Sequence, residues 1–177
     1  LSDSFNINCI KIVTEDNKKY IVKYYNKIKD GFNAIESEAN NLLFFNNQNY
    51  NFFPKIISYE DKFLIMSFID NNDNQPNKIN NDLINAITSI HSKKGLDYGF
   101  NFDTQIGGLR QINSNSKNWV EFYRDKRLRY IFDLINKINP MDKAINSKID
   151  LLLKKIDNLI PNEPKPSLLH GDLWEGN

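Results

Sequence analysis

Near the end of the chain Asp172 is followed five positions later by Asn177, within His170-Gly171-Asp172-Leu173-Trp174-Glu175-Gly176-Asn177. A carboxylate and an amide at this spacing suit phosphoryl transfer: the carboxylate accepts the proton of an attacking hydroxyl, and the amide oxygen ligates magnesium beside the phosphates. In-line attack requires both groups to project from one short, rigid loop, and Gly171 and Gly176 permit a tight backbone there. Alone, the spacing is common; a polar surface turn or a His-x-Asp metal pair would read the same way. A second candidate lies far upstream. Lys23, in Tyr20-Ile21-Val22-Lys23, is placed like a strand lysine that holds the α- and β-phosphates of ATP, and a solvated strand lysine has the same pattern. Glu36 and Glu38 follow on a predicted helix. At about 100° per residue they fall on opposite sides of its apolar stripe, so helical geometry does not choose which one pairs with Lys23.

The elements that must position these residues follow from periodicity. Phe5 to Thr14 and Tyr20 to Tyr25 are β-rich runs separated by Glu15-Asp16-Asn17-Lys18, a predicted hairpin. After Asp30-Gly31, Phe32, Ile35, Ala39 and Leu42 recur at helical spacing, predicting an amphipathic helix to about Phe45. Runs 55–59 and 62–68 flank Glu60-Asp61 as a further hairpin. The polar stretch 71–81 carries Pro76 and reads as a linker. Beyond it the pattern turns helical: Ile79, Leu83, Ile84, Ile87 and Ile90 form one face, Trp119 to Ile138 one long helix, and Ile145, Ile149, Leu152, Ile156 and Leu159 a third stripe. Between them, Gly95 to Asn118 reads as a long loop of the kind that carries function.

Composition narrows the classes. The 177 residues include 23 Lys+Arg against 22 Asp+Glu, for a net charge of +1, which argues against a nucleic-acid partner held by bulk charge. With 40% hydrophobic residues the chain can bury a core. One cysteine, Cys9, excludes an internal disulfide, and with two histidines a Cys- or His-rich metal site is not expected. No apolar run is long enough to span a bilayer and no signal peptide is evident, so no membrane partner and a cytoplasmic location are expected. The chain opens at Leu1 without Met and stops at Asn177, and reads as a fragment.

Several segments together resemble the fructosamine kinase (ketosamine 3-kinase) family. They are Glu38-Ala39-Asn40-Asn41-Leu42, residues 84–91, Gly99-Phe100 with Asp103, Ile106-Gly107, Gln111, Trp119-Val120-Glu121-Phe122-Tyr123 with Arg127-Leu128, and residues 168–177. Order and spacing match over nearly the whole chain, and the Leu-Trp-x-Gly-Asn continuation after His-Gly-Asp is the narrowest element. The resemblance implies an α+β, protein-kinase-like two-lobe fold: a small antiparallel β lobe with one helix over residues 1–69, and a mainly helical lobe over 70–177, C-terminally incomplete.

The resemblance also implies roles. Asp172 would be the catalytic base and Asn177 a magnesium ligand; Lys23 would hold the ATP phosphates and Glu38 would position it. Ser4 and Asn6 would lie in the phosphate loop, which has no glycine, and Met66 and Phe68 in a hinge, Met66-Ser67-Phe68-Ile69, whose backbone meets adenine. Asp103, Gln111, Trp119 and Trp174 would surround the acceptor cleft, while His91 and His170 would be structural. Ser4 stands where some relatives carry a cysteine, so no redox switch is expected. The implied reaction is phosphorylation of a ketosamine, free or on a glycated protein, at its 3-hydroxyl by Mg-ATP, leading to deglycation. A second metal-binding Asp would lie beyond Asn177, so this fragment alone is expected to be inactive. The rival expectations are a related kinase acting on an aminoglycoside or choline-like alcohol, and a non-catalytic nucleotide-binding module.

Overall fold

The structure, a computed structural model, describes residues 7–25, 31–70, 81–107 and 109–173. Its α+β architecture has two compact units, residues 1–76 with 103–111 and residues 77–102 with 112–177. The division does not fall at one point in the chain: residues 103–111, far past the expected boundary at 69, pack with the first unit.

In the first unit β1 (Ile7–Val13) and β2 (Lys19–Tyr25) pair antiparallel, with Cys9 opposite Lys23 and Lys11 opposite Ile21. The intervening turn is closed by Thr14, whose hydroxyl donates to Asp16 Oδ1 at 2.5 Å and accepts from the Lys18 N–H at 3.1 Å. Helix α1 (Ala34–Asn47) comes next, then β3 (Ile56–Glu60) and β4 (Phe63–Ser67), giving a four-stranded sheet in the order β1-β2-β4-β3. Asn33 caps α1. Its Oδ1 accepts the N–H groups of Ile35 and Glu36 at 3.1 and 3.2 Å, and its Nδ2 donates to the Asp61 carbonyl at 2.8 Å, so one side chain starts the helix and ties it to the β3–β4 turn. The core of the unit is Ile35, Ala39 and Leu42 of α1 against Leu64 and Met66 of β4, flanked by Ile7, Ile21 and Tyr25. The predicted stripe is therefore the buried one, and it runs on to Phe45, stacked at 4.1 Å on Phe53.

The expected loop from Gly95 to Asn118 contains a hairpin, β5 (Thr104–Ile106) and β6 (Leu109–Gln111), that packs on α1. Strands of three residues leave no readable alternation, and their partner helix is distant in sequence.

The second unit holds α2 (Asn81–His91), α3 (Trp119–Tyr123), a π-helical turn (Arg124–Arg129), α4 (Tyr130–Ile138) and α5 (Lys143–Lys155) followed by the 3-10 turn Ile156–Asn158. The expected single helix from Trp119 to Ile138 is thus helical throughout but wider in its middle turn. Apolar spacing does not register one extra residue per turn in so broadly apolar a stretch. The third predicted stripe is corrected as well. Leu153 and Ile156 are buried, whereas Ile145, Leu152 and Leu159 are exposed, because α5 meets the π-helical turn through only part of its apolar surface. The α4–α5 turn is closed by side chains: Asn136 donates to Asn146 (2.7 Å), Asn146 to the Met141 carbonyl (2.8 Å), and the Met141 N–H to Asn136 (2.9 Å). No helix among the described residues is long and apolar enough to cross a membrane.

Residues 98–102 and 112–118 are bound together around Asn113, which is 3% exposed. Tyr98 and Ser116 exchange backbone hydrogen bonds at 2.9 and 2.8 Å, Phe100 N–H donates to the Asn113 carbonyl at 2.8 Å, and Asn113 Nδ2 donates to the Phe102 carbonyl at 3.1 Å. Arg127 donates to Asn113 Oδ1 at 2.5 Å and to the Ile112 carbonyl at 2.6 Å, with its guanidinium 4.6 Å from the Phe122 ring centroid. Gly99 sits inside this junction at φ +134°, where a Cβ would lie 2.6 Å from the Asn113 carbonyl oxygen. Gly99→Ala is therefore expected to destabilise the protein by about 2 kcal/mol or more, measured as a fall in the urea midpoint.

Within the π-helical turn Arg124 donates through Nε and Nη2 to both oxygens of Asp125 at 2.8 and 2.7 Å. That guanidinium holds the Asp125 carboxyl below the usual carboxylate range. Because the folded pKa is the lower one, the stabilisation is fully present above the ordinary carboxylate range and is lost as pH falls from there through the folded pKa below it. Asp125→Asn should lower stability most at pH 7 and by progressively less as pH is taken down through and below the ordinary carboxylate range, followed by urea unfolding across that series.

Candidate active site

In the first unit the site is built on β2. Lys23 lies between Cys9 of β1 and Leu64 of β4, on the sheet face it shares with Ile21 and Tyr25, which pack toward α1. On that face both carboxylate oxygens of Glu38 accept from Lys23 Nζ, at 2.7 and 2.9 Å. The side chains are 28% and 23% exposed, so the pair is partly shielded from solvent. Of the two glutamates that helical spacing leaves equivalent, Glu38 makes the pair and Glu36 is exposed. The choice follows from the direction in which α1 lies across the sheet.

Farther along the same face Lys11, opposite Ile21, places its ammonium 4.0 Å from the Phe68 ring centroid, and Lys19 stands 5.7 Å from the same ring while pairing with Asp70 at 3.1 Å. Phe68, expected in the hinge, is thus flanked by two cations. Met66 is a core residue, 6% exposed. The Ser67 N–H donates to the Lys55 carbonyl at 2.8 Å and the Phe68 N–H to the Lys19 carbonyl at 3.3 Å, so both amides are engaged within the sheet.

The β5–β6 hairpin carries two more of the expected residues. Asp103 accepts from Arg110 Nε at 2.7 Å and Nη2 at 2.5 Å, and Gln111 Oε1 accepts from the Thr104 hydroxyl at 3.0 Å. Both side chains hold the hairpin closed. Asp103 and Arg110 also line a polar cleft of about 210 Å³ with Asn33, Glu36 and Asn40 of the first unit.

In the second unit, the segment leading to Asp172 is tied to the chain that follows α2. Lys94 and Ser167 form an antiparallel bridge, the Leu168 N–H donates to the Lys93 carbonyl at 2.9 Å, and the Tyr98 hydroxyl donates to the Pro164 carbonyl at 2.6 Å. Lys94 Nζ reaches both the His91 carbonyl (2.9 Å) and the Ser167 hydroxyl (2.6 Å). Past this tie Gly171 takes φ +86° with open space around it, and Asp172 is exposed with its N–H directed at His170 Nδ1, 3.4 Å away. His170 here accepts from the loop backbone. Trp119 lies among Tyr98, Tyr123 and Phe122, at 5.3, 5.3 and 6.0 Å between ring centroids. Ser4, Asn6, Trp174 and Asn177 lie outside the described residues. Among the described residues no group of three or more His, Cys, Asp or Glu side chains is placed to hold a metal ion.

Sequence reasoning missed two residues. Asn113 joins Phe100, Phe102 and Arg127, and its only signal is a position two past Gln111. Ser37 is 3% exposed although the apolar stripe of α1 points elsewhere, and no local signal marks it.

The sequence profile of the fructosamine kinase family matches residues 3–177. Among curated proteins the chain is 37% identical over 118 residues to a chloroplastic protein-ribulosamine 3-kinase of Arabidopsis thaliana, covering 65% of this chain and 35% of that protein. It is 41% identical over 80 residues to ketosamine-3-kinase of Mus musculus, covering 45% and 26%. The crystal structure of a "putative fructosamine-3-kinase" from Thermobifida fusca superposes with a TM-score of 0.82 at 21% identity, over 98% of this chain and 60% of that one, a likeness of fold. The chain thus spans about a third of the plant relative's length.

Charge-assisted hydrogen bonds of the Lys23–Glu38 kind are worth about 1.5–3 kcal/mol. With Lys23 read as the phosphate-holding lysine, Lys23→Ala and Glu38→Gln in protein from the complete reading frame are each expected to weaken Mg-ATP binding about tenfold or more, and Glu36→Gln to change it less than about twofold, by isothermal titration.

Proposed function

Because this chain belongs to the fructosamine kinase family, we propose that the protein transfers the γ-phosphate of ATP to the 3-hydroxyl of a ketosamine, the adduct of a reducing sugar and an amine. The observation that carries the proposal is the Lys23–Glu38 pair on the α1 side of the sheet, at 2.7 and 2.9 Å, in a chain whose residues 3–177 match the family. A lysine held in one direction by a carboxylate presents a fixed positive charge to the phosphates, so little reorganisation is needed when they arrive.

In this reading Asp172, exposed on the loop after the Lys94–Ser167 bridge, orients the sugar hydroxyl and accepts its proton. The hydroxyl oxygen bonds to the γ-phosphorus as the bond to the β-phosphate oxygen breaks, and ADP leaves. Magnesium, with Asn177 as a ligand, would accompany the nucleotide and neutralise phosphate charge. The phosphorylated adduct then decomposes and frees the amine, which makes the activity a deglycation of small amines or of protein lysines. Asp103, paired with Arg110, and Trp119, inside an aromatic cluster, support the acceptor side through the elements they hold.

The test uses protein expressed from the complete reading frame with Mg-ATP and a ribulosamine or fructosamine of a simple amine, beside an aminoglycoside, followed by mass spectrometry. Gain of one phosphate on the ketosamine with later release of free amine is expected. Phosphate on the aminoglycoside alone would replace the substrate, and no transfer to either would favour the non-catalytic module. Asp172→Asn should lower kcat by about 10²–10⁴ with ATP affinity retained, and unchanged turnover would exclude Asp172 as the base.

A further inference from the structure

Helix α1 is covered on two sides. Its apolar stripe, Ile35, Ala39 and Leu42, meets the four-stranded sheet. Ser37 lies roughly 180° around the helix from that stripe, where an amphipathic surface helix faces water, yet only 3% of it is exposed. What covers it is the β5–β6 hairpin: the Ser37 hydroxyl donates to the Asp103 carbonyl at 3.4 Å across 66 residues of sequence. A small side chain at this point lets the hairpin backbone come close to the helix. The Asp103–Arg110 ion pair, at 2.5–2.7 Å, fixes the carbonyl-bearing residue within the hairpin. Glu38 is the next residue after Ser37 and lies on the flank between the sheet-facing and hairpin-facing sides. A roll of α1 about its axis moves Ser37 under the hairpin and Glu38 relative to Lys23 by the same angle.

We propose that the β5–β6 hairpin clamps the outer face of α1 and thereby sets the reach of Glu38 to Lys23, with Ser37, Asp103 and Arg110 as positioning residues. A helix packed only on a sheet by its apolar stripe retains freedom to roll, because dispersion contacts are non-directional. A second layer on the opposite face removes that freedom. The nucleotide consequence rests on the reading of Lys23 as the phosphate-holding lysine; the geometric consequence does not.

The test uses protein from the complete reading frame, with Arg110→Ala, which opens the hairpin without altering α1, Arg110→Lys as the conservative control, and Ser37→Met as a wedge under the hairpin. Arg110→Ala is also made in a Glu38→Gln background. Trace acetylation by acetic anhydride, read by peptide mass spectrometry against exposed Lys148, reports how firmly Lys23 is held. Arg110→Ala and Ser37→Met should raise Lys23 acetylation about three- to tenfold, Arg110→Lys should stay near wild type, and Arg110→Ala should add nothing once Glu38 is Gln. Unchanged Lys23 reactivity in Arg110→Ala protein that is folded by thermal unfolding, or an equal increase with and without the Glu38 carboxylate, overturns the clamp. If Ser37→Met does not fold, the Arg110 series decides alone. Mg-ATP affinity measured on the same proteins should fall in parallel. A Lys23→Ala protein that binds Mg-ATP as tightly as wild type would remove the phosphate-holding role, while the acetylation result still decides the clamp.

Discussion

Helix α1 carries the glutamate of the Lys23–Glu38 pair, and the direction in which that helix lies across the sheet decides whether the pair can form. Two apolar rows meet there: Ile35, Ala39 and Leu42 on the helix, Leu64 and Met66 on β4. Burial of side chains of this size contributes about 1.5–3 kcal/mol each, so the contact is strong, but it specifies a face and not an angle. Directional bonds fix where the helix starts. Asn33 ties the first turn to the β3–β4 turn, and the Tyr25 hydroxyl accepts the Ala34 N–H at 2.8 Å. With the hairpin on the opposite face, α1 is held by its core contact, its cap and its outer cover. The ion pair is the product of those constraints, and its partial shielding makes its charges count for more than those of exposed pairs elsewhere, such as Lys18–Asp16.

The second unit is organised by polar groups to an unusual degree. Its buried apolar residues, Ile90, Val120, Phe122, Leu153 and Ile156, are few, and many of its Leu and Ile side chains remain exposed. Directional bonds hold the segments that matter: Asn113 with Arg127, the Asn136–Met141–Asn146 ring, and the Lys94–Ser167 bridge. At Asn113, which is buried, a displaced partner would leave a donor or acceptor unsatisfied, so that junction resists slippage most strongly. The bridge fixes the chain just before Asp172, which is itself exposed.

That Lys23 has a glutamate partner on α1 was legible because a strand lysine that holds phosphates demands a nearby carboxylate, and the sequence offered two at helical spacing. The first two hairpin strands, α1 and the β3–β4 hairpin were legible from periodicity, because each buries one face against one neighbour. Legibility failed where a residue faces two neighbours or none in its own stretch of chain. Ser37 looks like a solvent residue because the stripe beside it accounts for only one side of α1. Leu153 and not Leu152 is buried on α5 because only part of the apolar surface of α5 meets the π-helical turn, a contact that the periodicity of α5 alone does not locate.

Residue types, their spacing and the α+β order were therefore determined by the sequence alone, since hydrophobic periodicity is local in the chain. The choice of Glu38 over Glu36 and the burial of Ser37 beneath residues 103–111 were decided only by tertiary structure. Each depends on the angle at which one element lies on another. That angle is fixed by the sum of contacts from distant segments, and no window along the chain contains it.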